Sequence, residues 1–571
     1  MPNVIGTASK EMTYDAIVVG SGVSGGWAAK ELTEKGLRVL MLERGRQLEH
    51  VGGYENAMKA PWESRYAGRL TVEQVETHPK LSRDYPYNEM TEKYWMKDID
   101  SLYKEEKRAD WFRPNIVGGK SIMWGRQCYR WSDLDFEANL KEGVAIDWPI
   151  RYKDLESWYS YVEKFAGISG EKLGLPQLPD SEFLPPMEMF HIEKEVKARL
   201  EKSFPGRVLT IGRVANLSAA AQAQLDVGRG PCQYRNKCSL GCPFGAYFST
   251  QSSTLPAAAK TGLLTLRPDS IASHILYDAG RQRATGVRVI DAVTMQEREY
   301  SAKLVFVCAS TVSSTALLLN STSERFPQGL GNDSGHLGHN LMDHHFRTGA
   351  SGTWEGDLDK YYYGRRANGI YIPRYRNFAG DKREYLRGFG YQGGASRQGW
   401  QRHIAELSFG AEFKTALTQP GAWTMGLTGF GEMLPYFENK MSLDKNTKDK
   451  WGLPVVVFDA EMGENEKKMR VDMANDAKAM LEAAGLVNVK TYDNGSYIGT
   501  AIHEMGTARM GRDPKTSVLN AHNQVHAVKN VFVTDGSCMT SASCVNPSLT
   551  YMALTARAAD FAVGEMRKGN L

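Results

Sequence analysis

Three sets of residues in this 571-residue chain have the types and spacing to do chemistry. The first is Gly20-Ser-Gly22-Val-Ser-Gly25, followed by an acid at Glu43. In such a run Gly20 turns the chain, Gly22 lets the backbone approach a pyrophosphate, and Gly25 lets a helix pack on a strand. The pyrophosphate charge then meets the free N–H groups of the helix N-terminus. Glu43 stands where a carboxylate would accept from a ribose 2′-OH, which argues against a 2′-phosphate and so against NADP. The second set is Cys232-x5-Cys238-x3-Cys242-Pro243. Its spacing is not that of a zinc site, and no fourth Cys or His follows closely. Three soft thiolates in a short loop ending in Cys-Pro suit an iron–sulfur cluster; the alternative is three thiols with no ligand. The third is two separate C-terminal stretches, His503-Glu-Met-Gly506-Thr507 and Asn546-Pro-Ser-Leu-Thr550, in which His503 taken alone is more often a structural histidine. A neutral imidazole can take a hydroxyl proton near pH 7, and an asparagine can orient that hydroxyl without competing for the proton.

These residues need elements to hold them. Tyr14–Val19 is a β-branched apolar run that reads as a buried strand, Trp27–Thr33 has a helical pattern, and Arg38–Leu42 is a second strand ending at Glu43. Together they make one βαβ unit around the glycines. Val117-Gly118-Gly119-Lys120-Ser121-Ile-Met123-Trp-Gly125 reads as a close-approach loop for a flat ring system, or as an ordinary turn before a strand. Residues 46–113 are polar and aromatic with few strand signals, as in a covering segment. Short strand-like runs are expected at 263–267, 274–278, 284–291 and 303–309, then a helix at 314–320. Residues 351–497 alternate in polarity and end in an amphipathic helix at 464–484, as in a sheet-based substrate domain. The last stretch returns to glycine-rich loops, a strand at 530–534 and a helix from 550 to about 566.

The composition, 42% hydrophobic and 24% charged, is that of an ordinary globular protein. A net charge of +4, from 70 basic and 66 acidic residues, is too balanced for nucleic acid or an anionic membrane as partner. No apolar stretch approaches the roughly 18 residues of a transmembrane helix. The N-terminal residues show no charged n-region, apolar h-region or twin-arginine pair, which on their own point to the cytoplasm. Seven cysteines, few and odd in number, argue against a disulfide scaffold.

The glycine-rich N-terminal motif, the VGGKSIMWG loop, the segment VFVCASTVSSTALLLNS (305–321), the His503 motif and the Asp535-Gly536 to Thr550 stretch occur in one order. In that order they resemble the glucose–methanol–choline (GMC) flavoprotein oxidoreductases over about residues 14–565. The resemblance implies an α/β, GMC-type fold with a Rossmann-like FAD-binding domain and a sheet-based substrate domain. The FAD-binding domain would be discontinuous: residues 1–48, 114–131, 208–350 and 498–571. Residues 49–113 and 132–207 would be covering segments, and 351–497 would bind substrate. Gly20, Gly22, Gly25 and Glu43 would hold the ADP half of FAD. Gly118, Gly119 and Ser121 would lie along the isoalloxazine and its linker, and Asp535 and Gly536 beside the diphosphate and ribityl chain. Asn546 would stand near the flavin N1/C2 edge, and His503 would be the base that takes the hydroxyl proton as hydride passes to N5.

Met123 occupies the position at which covalently flavinylated pyranose oxidases carry their linking His, so the FAD is expected to be non-covalent. Cys232, Cys238 and Cys242 look like the [3Fe-4S] loop of bacterial FAD-dependent sugar dehydrogenases, with glucoside 3-dehydrogenases the most similar. The function so implied is oxidation of a secondary hydroxyl of a pyranose sugar or glycoside, C3 favoured, to a ketone. Electrons would leave through the cluster to a cytochrome c, and a small partner subunit carrying an export signal would bring the protein to the periplasm. The alternative is a pyranose or C-glycoside oxidase that uses O2 and has no cluster. His344 and His345 could touch substrate or flavin, or be satisfied loop histidines; Gln392 could position a sugar hydroxyl, or be a polar strand residue.

Overall fold

A computed structural model describes residues 12–66, 68–361, 364, 366–399 and 409–571. The expected βαβ unit is present: strand Thr13–Val19, helix Val23–Glu34 and strand Val39–Leu42. It lies within an eight-stranded sheet whose central strands are parallel. Thr13–Val19 is flanked by Val39–Leu42 and by Glu297–Val307; beyond these lie Leu264–Arg267 on one side and Val528–Val533 on the other. The register aligns Val19 with Leu42 and Val307, and Val307 with Val533. The carboxyl ends of four strands therefore share one edge, and Gly20, Glu43, Cys308 and Thr534 follow immediately on it. In open parallel sheets that edge is where ligands bind.

These strands read as continuous apolar runs because both faces are covered. All four residues of Val39–Leu42 are buried. Helix Ser548–Arg567, rich in buried alanine, packs closely on helix Val23–Glu34. An antiparallel pair, Ser270–Asp278 and Arg283–Asp291, extends from Glu297–Val307.

A second sheet of six antiparallel strands takes in His344–Trp354, Ile370–Ile372, Phe389–Arg397, Trp423–Glu432 and Val487–Asp493. Its sixth strand, Thr210–Ile211, comes from far earlier in the chain. Helix Glu464–Ala483 lies against one face, where Met469, Met473, Met480 and Leu481 meet Phe389, Tyr391, Trp423 and Leu427 in one buried cluster. Period-two alternation turns Tyr391 toward that helix, its hydroxyl donating to the Met473 carbonyl (2.8 Å), and Gln392 to the opposite face. A third sheet joins Lys440–Lys448, Pro454–Asp459 and the short strand Tyr103–Glu105.

Helix Thr254–Lys260 starts only after Ser249 and Ser252, which bond each other's backbone N–H and hold the intervening residues in a turn. No strand follows the paired glycines at 118–119; Gly119–Ile122 is a single 3₁₀ turn.

Candidate active site

A cleft runs from the carboxyl edge of the large sheet to the loops that carry His503 and Asn546, with Leu443 and Val456 of the third sheet on its wall. Gly20, Gly22, Glu43, Gly119, Met123, His503, Asp535, Gly536 and Asn546 all line it. At its sheet end each glycine has a different role. Gly20 has φ +96°, and a Cβ there would lie 2.5 Å from the Cys308 carbonyl oxygen. A Cβ on Gly25 would lie 1.9 Å from the Gly20 carbonyl oxygen, so the helix can reach the strand only without one. Gly22 is different: a Cβ there would meet nothing within 4 Å. The space beside Gly22 is thus left open at the start of a helix, the arrangement that receives a pyrophosphate. The residues present fit the ADP half of a dinucleotide.

Glu43 lines this end but grips the loop first. Its carboxylate accepts from the Ser21 N–H (3.0 Å), the Ser21 hydroxyl (2.6 Å) and the Gly45 N–H (2.7 Å). Burial pushes its pKa up and these hydrogen bonds oppose the shift. The Ser21 hydroxyl also accepts from the Gly118 N–H (2.8 Å), tying the two glycine loops together. Gly119 faces the cleft, whereas Ser121 is fully buried behind it, donating to the Gly118 carbonyl (2.6 Å) and meeting Thr250. Ser121 therefore supports the loop rather than lining it. Asp535 likewise accepts from Ser537 N–H (3.0 Å) and from the Ser314 and Ser537 hydroxyls.

At the other end, His503 and Asn546 come together. Asn546 Nδ2 lies 3.5 Å from His503 Nε2, and both side chains are half-buried at the cleft wall. His503 Nδ1 lies 3.0 Å from His344 Nδ1 with the rings near perpendicular, and His344 Nε2 lies 3.2 Å from the Ala542 carbonyl oxygen. The backbone around His503 is fixed by Asp343, whose two oxygens accept N–H groups from His344, Gly499, Ala501 and His503. Gly506, at φ +81°, passes so close to the Asn340 carbonyl that a Cβ would lie 2.0 Å from it. Burial, reinforced by His344 and by the Lys120 ammonium, holds the His503 pKa well below its ordinary 6.5, so the ring is neutral. Lys120 pairs with the Glu504 carboxylate (3.2 Å).

Some of this constellation is not carried by any sequence motif. Gln392 donates to Asn546 Oδ1 (2.8 Å), Gln127 donates to Gln392 Oε1 (3.2 Å), and the Tyr129 hydroxyl donates to Gln127 Oε1 (2.5 Å). The strand alternation that buries Tyr391 is the one sequence signal that could have turned Gln392 toward the site. His344 and His345 open the strand His344–Trp354 rather than lying in a loop, and His344 meets His503. His345 is buried at the bulge beside Gly431, with neither ring nitrogen hydrogen-bonded to another described residue.

The cysteine trio lies elsewhere. Cys232, Cys238 and Cys242 are free and partly exposed, and none of them lines the cleft. Their loop is pinned to the covering segment through Arg235 to the Ala57 carbonyl, Lys237 to the Lys59 carbonyl and the Tyr94 hydroxyl to the Leu240 carbonyl. Among the described residues, no three Cys, His or carboxylate side chains converge to hold a metal ion. The thiols have the right chemistry for an iron–sulfur cluster, but this loop conformation does not gather them into its ligand set.

Comparison with known proteins follows the same lines. Two family models described as GMC oxidoreductase match residues 14–346 and 435–555. The 2-methyl-1,2-propanediol dehydrogenase of Mycolicibacterium austroafricanum is 29% identical, over 97% of this chain and 96% of that protein. The fructose dehydrogenase large subunit of Gluconobacter japonicus is 25% identical, over 98% of this chain and 100% of that protein. Among solved structures, pyridoxine 4-oxidase from Mesorbium loti superposes with a TM-score of 0.60 at 16% identity, covering 96% of this chain and 98% of that one. The shared fold is the one expected from the sequence.

Proposed function

The chain belongs to the GMC oxidoreductase family, and we propose that it is an FAD-dependent dehydrogenase that oxidises a secondary hydroxyl of a pyranose sugar or glycoside, C3 favoured, to a ketone. The observation that carries this reading is the pairing of His503 Nε2 with Asn546 Nδ2 at 3.5 Å, in the same cleft as the glycine cradle. That distance is long for a hydrogen bond. A substrate oxygen placed against the pair makes two better ones, donating its O–H to His503 Nε2 and accepting from the Asn546 amide. Removal of that proton from oxygen by His503 and loss of hydride from the carbon that bears the hydroxyl leave a C=O bond. FAD, when bound, supplies the acceptor for the hydride.

Gly20, Gly22, Gly25 and Glu43 would hold its ADP half, Gly118 and Gly119 its ring and linker, and Asp535 and Gly536 its diphosphate side. With Met123 in the loop where a linking His would stand, the attachment is non-covalent, and acid precipitation should release all the flavin into solution. A "large subunit" and a diol dehydrogenase among the relatives support a CH–OH donor and a smaller partner subunit. Transfer to a cytochrome c and a periplasmic location reached with that partner complete the proposal. A [3Fe-4S] cluster on Cys232, Cys238 and Cys242 rests on their spacing and soft-ligand chemistry, and no step of the mechanism here passes through it.

The deciding experiment is anaerobic flavin reduction by a panel of glucose, cellobiose, glycosides, gluconate and small diols, with the product carbonyl placed by NMR. Rapid bleaching by a pyranose with a C3 ketone product is expected. Bleaching by diols alone would overturn the sugar assignment, and fast reoxidation by O2 would favour the oxidase.

A further inference from the structure

The hydrogen bonds around His503 form one uninterrupted chain, and only one assignment of its protons satisfies every link. The Ala542 carbonyl oxygen can only accept, so His344 must carry its proton on Nε2. Burial holds the His344 pKa at about 4, so that ring is neutral and its Nδ1 is an acceptor. His503 must then donate from Nδ1 across the 3.0 Å contact. Its own neutrality leaves Nε2 as a bare lone pair, facing Asn546.

The same logic continues outward. A lone pair on His503 Nε2 requires the Asn546 NH2, not its carbonyl, to face it. Asn546 Oδ1 must then accept, and it does, from Gln392. Gln392 Oε1 accepts from Gln127, and Gln127 Oε1 accepts from the Tyr129 hydroxyl. Every amide in the relay is used once as donor and once as acceptor along the chain, all in one sense. Tyr129 is itself fixed by stacking on Tyr371, ring centroids 4.1 Å apart.

We propose that His344 is a positioning residue that locks His503 in its Nδ1–H tautomer, so that Nε2 is the basic atom presented to the substrate hydroxyl. The proposal rests on His503 being the base, and its test separates the two ideas. A histidine whose neighbour fixes one ring nitrogen has its other nitrogen's role decided by that contact. Without the neighbour, the imidazole can place its proton on Nε2, where it has nothing to offer a hydroxyl proton. His503 Nδ1–H needs an acceptor, so an aromatic ring of similar size without a ring nitrogen cannot take the place of His344.

The protein is labelled with ¹⁵N-histidine in its flavin-bound form, and the His503 resonances are assigned by their loss in His503→Gln. Wild type should show a protonated Nδ1 and an unprotonated Nε2. His344→Phe keeps the packing but removes the acceptor; both tautomers should become populated, and sugar-driven flavin reduction should fall roughly 10²-fold with little change in apparent sugar affinity. His344→Asn restores an oxygen near the Nδ1 position and should recover the single tautomer and the rate to within about tenfold of wild type. Melting temperatures of both variants report whether the fold is kept. An unprotonated Nδ1 on wild-type His503 would overturn the lock, as would His344→Phe retaining one tautomer and a rate within threefold of wild type. The resonance positions do not depend on what His503→Ala does to the rate, so failure of the base assignment is read separately.

Discussion

His503 and Asn546 are far apart in the chain, whereas the three cysteines sit within one short loop; the fold reverses that order. The distant pair meets at the cleft wall, with each polar atom given a partner. The adjacent trio stays on a partly exposed loop and does not converge. The difference lies in what anchors each. His503 is held by a carboxylate that collects four backbone N–H groups, on a loop crossing the buried bridge Met342–Met505. The cysteine loop is held by the Tyr94 hydroxyl and by two long cationic side chains reaching to backbone carbonyls, the latter costing side-chain entropy to maintain. Preorganisation, and not proximity in sequence, distinguishes a finished site from a set of candidate ligands.

The largest effect should come from the preorganised region. His503→Ala should retain flavin and melting temperature while slowing sugar-driven flavin reduction by roughly 10²–10⁴-fold. Asn546→Ala, which removes orientation and not the base, should cost only about 10-fold. Stopped-flow absorbance under anaerobic conditions measures both, and equal losses for the two variants would break the division of roles.

A smaller effect is expected from pH. To serve as the proposed base His503 must be neutral, and burial with His344 and Lys120 lowers its pKa. Lowering extends the neutral form to more acid solution, so the reduction rate should hold as pH falls through 6.5 and decline only below that. Lys120→Met removes a neighbouring cation and leaves the Glu504 carboxylate, so the acid limb should move up toward 6.5. A wild-type limb already centred at or above 6.5 would contradict the lowered pKa.

The smallest effect sharpens the contrast from the other side. Cys238→Ser lies outside the cleft, so sugar-driven flavin reduction should change by less than about twofold. Anaerobic iron analysis and EPR of wild type and variant decide separately whether the loop takes up a cluster. A loss of flavin reduction above tenfold would mean that the loop and the cleft are coupled after all.

The βαβ unit was legible because its signals are local: β-branched runs, glycines at fixed offsets and an acid closing the second strand all fall within Tyr14–Glu43. The strands at 264–307 and the helices at 464–483 and 548–567 were legible for the same reason, each carrying its own periodicity. The His503–Asn546 pair could be read only by likeness to a family, since no local pattern says that two loops will meet. His344 stayed undecided because its part depends on a ring in another loop, and Gln127 and Tyr129 gave no signal at all. Ser121 was expected at the cleft but serves as a strut behind it, since spacing does not reveal which side of a turn a hydroxyl faces.

The large sheet has one further consequence, for the order in which the molecule can be made. Its strand at the N-terminus is completed by partners from the middle of the chain and by Val528–Val533 near its end. A ribosome adds about 5–20 residues per second, so the first strand waits roughly half a minute to two minutes for its last neighbours. During that interval the seat on helix Val23–Glu34 that Ser548–Arg567 will cover is bare apolar surface, and Asp535 does not yet exist. The sheet edge and its covering helix are therefore completed late, since both need residues more than 500 positions beyond the first strand.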